Sequence, residues 1–351
     1  MPAMQLFVYE FLTGGGTLAK TDWGVPSGSM LREGTAMLRA IAQDFIRIPN
    51  VGVSVLHDAR LPSLDIHGCE IHSVSNVAEE TATFLALIHQ SHAVVIIAPE
   101  IDRILTERCR LVEQSPDKLI GPGSPFVDIA SDKHATHRVL SRANVPVPKQ
   151  WLLSGSSNMP RLNGPVVVKA RMGAGSNGVF RIDHPDQLND RFPPDGSWCV
   201  EQFCPGRHAS VAFLCGKDGM VPLPACWQHL SDDGCFTYHG GSTIMEDELV
   251  ERCVRLGLAA LSALPPVSGY VGIDIVLGDR VDGRADFVIE VNPRLTTSYV
   301  GLRAMTDENL AEAMLQIARG RAWPRPKFHK SKVSFLADGT VDRHSSDMDR
   351  G

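Results

Sequence analysis

The spacing of apolar residues changes period along this chain, and each change predicts an element. Residues 5–9, 51–56 and 93–98 are short apolar runs of strand length. Between them, residues 27–46 carry Met30, Met37, Leu38, Ile41 and Phe45 at helical spacing, and 77–89 and 101–113 predict two more helices. Strands that alternate with helices imply a parallel, doubly wound α/β sheet. Ligands of such sheets lie beyond the carboxyl ends of the strands. Glu10, Asp58 and Glu100 each follow a strand and are candidates for substrate contact, against the plainer reading of helix caps or loop acids.

The pattern shifts after residues 114–125, a stretch dense in proline and glycine that marks a boundary. A helix is expected over 131–143, then strands over 165–170, 198–203 and 210–215, with strand-like runs at 222–228 and 235–238. Lys169 interrupts the apolar strand PVVVKA, and a lysine there needs an anionic partner. The following RMGAGSNG, residues 171–178, is a glycine loop whose backbone amides can close on an anion. A long amphipathic helix over 246–264 opens on Glu246, Asp247 and Glu248, which suit the positive end of the helix dipole. A polar loop at 295–301, a last helix at 308–319, a strand at 332–336 and a loose polar tail from Asp338 complete the expectation.

The most informative pattern lies between 271 and 294, VGIDIVLGDRVDGRADFVIEVNPR. Val271, Ile273, Ile275 and Leu277 alternate with other residues, as do Phe287, Ile289 and Val291, so the segment predicts a β-hairpin. Register must keep both apolar sets on one face, so directly opposed residue numbers sum to an even value, as 274 and 290 do. That register gathers Asp274, Glu290 and Asn292 on the other face, and it requires an odd loop or a bulge. Two carboxylates and an amide oxygen beside Arg294 suit a hard cation together with phosphate.

Composition narrows the picture. A chain of 351 residues allows two or three domains with a substantial core. The net charge of −6 argues against sequence-independent nucleic-acid binding. No stretch reads as a membrane span and MPAMQLFVYE carries no secretory pattern, so neither nucleic acid nor membrane is an expected partner. The eight cysteines show no Cys-x-x-Cys spacing and read as reduced thiols, from which a cytoplasmic location is expected. GGGTLAKT, residues 14–21, falls one residue short of a phosphate-binding P-loop. The Asp22-Trp23-Gly24-Val25-Pro26 that follows cannot propagate the helix such a loop opens, so a flexible glycine loop over a neighbouring site is expected instead.

Taken in order, these features resemble the ATP-grasp superfamily over residues 1 to 325, most specifically in VEQFCPG, GYVGIDIVLG and FVIEVNPRLTTS. The resemblance implies an α/β pre-ATP-grasp domain at 1–120, followed by an α+β ATP-grasp domain of two subdomains. These would be a small subdomain with a glycine lid at 121–200 and a metal-binding subdomain at 201–325, with a strand and tail at 326–351. It implies that Lys133 and Lys169 contact ATP phosphates under a lid containing Gly173, Ser176 and Gly178, while Glu201, Gln202 and Phe203 form the adenine hinge. Asp274, Glu290 and Asn292 would bind Mg²⁺ or Mn²⁺, and Arg294 with Lys169 would act on the transferring phosphate. His208 stands where many of these ligases carry a glutamate for the ribose hydroxyls, a departure at that contact.

FVYEFLTGGG, IIAPEID and YHGGST are similar to the tyramine–glutamate ligase group, which joins glutamate to an amine in methanofuran-type cofactor synthesis. The implied reaction is activation of a carboxylate as an acylphosphate, followed by amide-bond formation. The implied partners are a small-molecule carboxylate, with glutamate suspected, and an amine; a homodimer is allowed. A superfamily carboxylase using bicarbonate and a nucleotide-binding sensor without ligase activity are the competing readings.

Overall fold

The computed structural model describes residues 3–155, 162–175, 178–185, 188–323 and 325–344. A parallel sheet comes first, built by β1 (Met4–Glu10), β2 (Val51–Asp58), β3 (Cys69–Val74) and β4 (Ala93–Ile97) in the order β3-β2-β1-β4. The helices α1 (Gly28–Ile46), α2 (Val77–Gln90) and α3 (Ile104–Glu113) cover it. Alternation along β1 explains the layering. Leu6 and Val8 share a core with Met37, Leu38, Ile41 and Phe45 of α1. Phe7 and Tyr9 point the other way, toward Phe84 and Leu87 of α2 and Leu105 and Cys109 of α3. The polar, half-exposed CEIHSV of β3 forms the sheet's edge, which is why no apolar run announced it.

The helices α4 (Ser124–Ala130) and α5 (Lys133–Arg142) lead into a second sheet. It contains β5 (Gln150–Ser154), β6 (Val166–Ala170), β7 (Val179–Ile182) and, after the short α6 (Leu188–Arg191), β8 (Asp195–Gln202), in the antiparallel order β5-β8-β6-β7. The third sheet holds β9 (Arg207–Gly216), β10 (Gly219–Pro222), β11 (Cys226–Leu230), β12 (Tyr238–Thr243), β13 (Gly269–Leu277), β14 (Phe287–Asn292), β15 (Lys332–Leu336) and β16 (Val341–His344). Its order is β14-β13-β9-β11-β12-β15-β16, with β10 paired on β9.

On one face of this sheet α7 (Asp247–Ala263) packs Leu256, Ala260 and Leu261 into a core with Val211, Phe213, Val271 and Ile273. On the other, α8 (Ser298–Leu302) and α9 (Leu310–Ala318) pack Tyr299, Leu302, Met314 and Leu315 into the core that contains Ile41 and Phe45 of α1. This junction also has a polar centre. Fully buried Asp44 of α1 accepts from Tyr299 Oη at 2.6 Å and Arg303 Nε at 2.8 Å, and Asn309 Nδ2 donates to its backbone carbonyl at 2.7 Å. A buried carboxylate needs such partners, and here they tie the first sheet to the third.

Three expectations are corrected. The segment 295–301 is not simply a polar loop, because Tyr299, Val300 and Leu302 bury themselves as α8. The tail is not loose throughout, since β16 pairs with β15. Gly14–Gly16 is buried rather than a flexible cover: a Cβ on Gly16 would lie 2.3 Å from the Phe11 ring, so glycine permits close packing there. Among the described residues, no helix is long and apolar enough to cross a membrane.

Candidate active site

A cleft of about 180 Å³ is lined by residues of the second and third sheets, α1 and the start of α5. The β13–β14 hairpin contributes Gly272 opposite Asn292, Ile273 opposite Val291 and Asp274 opposite Glu290, the even-sum register expected. Past Asp274 the pairing shifts, with Ile275 opposite Val288, so Ile289 is the extra residue of a β-bulge. The bulge corrects strict alternation. Val288 joins Val291 in the core under α7, while Ile289 lines the cleft beside Glu290.

Asp274 is held by neutral amides. Its Oδ1 accepts from Gln228 Nε2 of β11 at 2.9 Å, and its Oδ2 from Asn292 Nδ2 at 3.0 Å. Burial and the like charge of Glu290 push the Asp274 carboxyl up to about 7. Glu290 shifts the opposite way. Burial favours its neutral form, but Lys133 and Lys169 outweigh burial and hold it below the usual carboxylate range. Lys133 Nζ lies 2.7 Å from Glu290 Oε1 and donates to the Gly173 carbonyl at 2.8 Å.

The local sequence explains how Lys133 gets there. Asp132 caps α5 by accepting from the N–H groups of His134 and Ala135, and it also grips Arg171 at 2.6 Å. Lys133 N–H donates to the Arg171 carbonyl at 3.1 Å. The loop after β6 is thereby pinned on the start of α5. Gly178, at φ +74°, closes that loop by accepting from Ala170 N–H at 2.8 Å. Ser176 lies outside the described residues.

Lys169, buried on β6, sits 2.7 Å from Glu201 Oε2 of β8, and Gln150 Nε2 donates to Glu201 Oε1 at 3.0 Å. Burial alone would depress the Lys169 ammonium, but Glu201 and Glu290 outweigh it and raise its pKa. The Glu201 carboxylate is thus the lysine's counter-ion. The N–H groups of Gln202 and Phe203 donate to the Lys149 and Pro165 carbonyls at 2.9 and 3.1 Å, while both residues line the cleft. His208 of β9 also lines it, its ring centroid 5.6 Å from that of Phe236. Burial, joined by Lys169, pushes the His208 imidazole down and favours the neutral ring.

Arg294 follows β14. Its Nε lies 2.9 Å from Glu100 Oε1, and its Nη2 donates to Glu100 Oε2 at 3.2 Å. Glu10 and Asp58 are the last residues of β1 and β2, and Glu100, three residues past β4, positions an arginine. Glu10 accepts from Thr13 N–H at 2.7 Å and Asp58 binds Arg60 at 2.6 Å. None of the three is among the residues that line the cleft. Sequence reasoning missed Glu33, Gln228, Tyr238 and Thr297, which do line it. Polar residues on an amphipathic helix or a strand normally face solvent, and only tertiary packing turns these inward.

Among the described residues, no group of three or more His, Cys, Asp or Glu is arranged to hold a metal. The donor set fits a magnesium-type ion in another way. Asp274 and Glu290 are directly opposed carboxylates whose mutual repulsion a cation relieves, with the Asn292 amide beside them. Such ions take one or two carboxylates and leave their other positions to water and phosphate. With Lys133, Lys169 and Arg294 in the same cleft, the arrangement can hold a polyanion together with a divalent cation.

The chain is similar to known proteins over most of its length. The ATP-grasp domain family model matches residues 130–298 and the pre ATP-grasp 3 domain model matches residues 51–127. The chain is 24% identical over 303 residues to the tyramine–L-glutamate ligase of Methanocaldococcus fervens, covering 85% of this chain and 92% of that relative. It is 25% identical over 298 residues to the tyramine–L-glutamate ligase of Methanocaldococcus jannaschii, covering 84% and 85%. The crystal structure of an ATP-grasp superfamily protein from Archaeoglobus fulgidus superposes with a TM-score of 0.71 at 23% identity, over 95% of this chain and 92% of that one, a likeness of fold.

Proposed function

Because this chain belongs to the ATP-grasp superfamily of ATP-dependent ligases, we propose that Lys133, Lys169, Arg294, Asp274, Glu290 and Asn292 activate a carboxylate for amide formation, with glutamate and tyramine as substrates. One observation carries this reading. Two opposed carboxylates on the hairpin share a cleft with three cationic side chains that arrive from α5, β6 and the segment after β14.

Phosphoryl transfer asks a protein mainly for positioning and charge neutralisation. Lys133 and Lys169 bind ATP phosphates, the loop containing Gly173 and Gly178 covers them, and the hinge at Glu201, Gln202 and Phe203 receives adenine with His208 toward the ribose. Mg²⁺ held by Asp274, Glu290 and Asn292 supplies further neutralisation of phosphate charge when bound. A substrate carboxylate oxygen attacks the γ-phosphorus, the bond to the bridging oxygen breaks and ADP leaves. Arg294, fixed by Glu100, binds the transferring phosphoryl oxygens. The amine nitrogen then attacks the acyl carbon, the carbon–oxygen bond to phosphate breaks, and inorganic phosphate and a proton depart. Water exclusion by the glycine loop protects the acylphosphate.

The test is ADP release by the purified protein across amino acids paired with amines, tyramine included, with bicarbonate as a separate arm. ADP formation that requires both an acid and an amine, with one amide formed per ADP, is expected. ADP formation driven by bicarbonate without an amine would replace this reading with a carboxylase, and nucleotide binding without turnover would replace it with a sensor.

A further inference from the structure

We infer that Glu33 selects the acid substrate by binding an ammonium group on it, so that the acid is an amino acid rather than a simple carboxylic acid or bicarbonate. The inference rests on the ligase reading above and assigns the residue that recognises its amino-acid substrate. Glu33 lies on α1 and lines the cleft together with Tyr238, Thr297 and Arg294. Its two carboxylate oxygens have different fates. Thr297 Oγ1 donates to Oε2 at 3.0 Å, whereas Oε1 is buried with no hydrogen-bond partner among the described residues. A carboxylate oxygen removed from water without a donor is costly, so a donor from the cleft is the missing partner.

The protein spends a helix cap to hold this side chain. Thr297 occupies the N-cap position of α8, where a threonine ordinarily accepts from the helix's own N–H groups. It makes no such bond here, and its hydroxyl faces Glu33 instead. Arg294, three residues earlier, does not reach Oε1: its Nη1 donates to the Leu295 carbonyl and its Nη2 to Glu100 Oε2. An anion and a cation therefore line one cleft on either side of a short segment, 295–297, which is the electrostatic complement of a zwitterion. Bicarbonate carries no positive group to offset the charge of Glu33.

The test compares the amino acid best used in the screen, L-glutamate first, with its des-amino analogue, glutarate first, each paired with tyramine in steady-state ADP release. The wild-type protein is expected to show a lower KM for the amino acid. Glu33→Gln is expected to raise that KM about tenfold to a hundredfold, the loss of one charge-assisted hydrogen bond. Its KM for ATP and for the des-amino acid should stay within about threefold, well inside what loss of such a bond produces. Thr297→Val should raise the amino-acid KM by less, because it frees the carboxylate without removing it. An unchanged amino-acid KM in Glu33→Gln overturns the assignment while the ligase reading stands, as does equal use of both acids by wild type. Wild-type protein that turns over no acid with any amine overturns both together. Should Glu33→Gln lower the melting temperature, Thr297→Val decides, and an unchanged KM there is equally fatal.

Discussion

Replacing Asp274 by asparagine is expected to stabilise the ligand-free protein while removing its activity. The Asp274 carboxyl sits opposite Glu290, its hydrogen-bond partners are neutral amides, and burial with that like charge moves it from 3.8 to about 7. The sign follows from linkage. Below pH 3.8 the group is protonated in folded and unfolded chains alike, and no penalty exists. Above pH 7 it is ionised in both, and the folded chain carries the full penalty, about 4 kcal/mol at 1.36 kcal/mol per unit. Water entering the cleft screens some of this, leaving about 2–4 kcal/mol. Asn292 can turn its amide over to accept from the new side chain, so hydrogen bonding survives. Asp274→Asn should thus melt about 3–6 °C above wild type at pH 8, with the gain shrinking as pH falls from 7 toward 4. Turnover should fall about a thousandfold, and magnesium nucleotide should stabilise wild type more than the variant. Thermal unfolding from pH 4 to 8 and ADP release at saturating substrate measure both halves. A variant that melts below wild type at pH 8, or keeps a sizeable share of turnover, refutes the reasoning.

Three further outcomes are expected. Lys169→Met leaves Glu201 buried without its cation and should cost about 3–5 kcal/mol in denaturant unfolding, a loss that adding Glu201→Gln reduces without restoring nucleotide binding. Asp44→Ala deprives buried Tyr299 and half-buried Arg303 of their acceptor and should cost about 3–5 kcal/mol, read as a lower denaturant midpoint. Gly272→Ala places a Cβ 2.6 Å from Thr296 Cγ2, between Arg294 and Thr297, so it should lower kcat/KM about tenfold to a hundredfold through misplacement. Its folding stability should fall by under about 1.5 kcal/mol, which a denaturant titration checks.

How far the site could be read from residues alone depended on range. Period-two alternation was enough to bring Asp274 opposite Glu290, because a slip of one residue would have exposed an apolar set. It could not say which residue the bulge adds, since any position in the strand satisfies the count; Ile289 is settled by what packs above and below the sheet. Lys169 announced a need for an anion, but the anion itself came from a neighbouring strand. Lys169 pairs with Cys199, and Glu201 lies two residues along on the same face. Glu33 and Gln228 gave no local signal at all, because their inward direction is set by how α1 and β11 meet the hairpin. The short strands β5 and β7 escaped notice for a similar reason, being partly exposed and stabilised by their sheet neighbours.

Lys133, Lys169 and Arg294 each hold a carboxylate of the protein before any ligand arrives. Asp274 and Glu33 line the same cleft without a cation of their own, so a bare anion entering it meets excess negative charge and must also pull apart a lysine or arginine couple. A visitor escorted by a metal ion would avoid that, since Glu290 would exchange Lys133 for the metal and release the lysine to the anion. Free phosphate, citrate and uncomplexed nucleotide should therefore bind more weakly than a magnesium nucleotide.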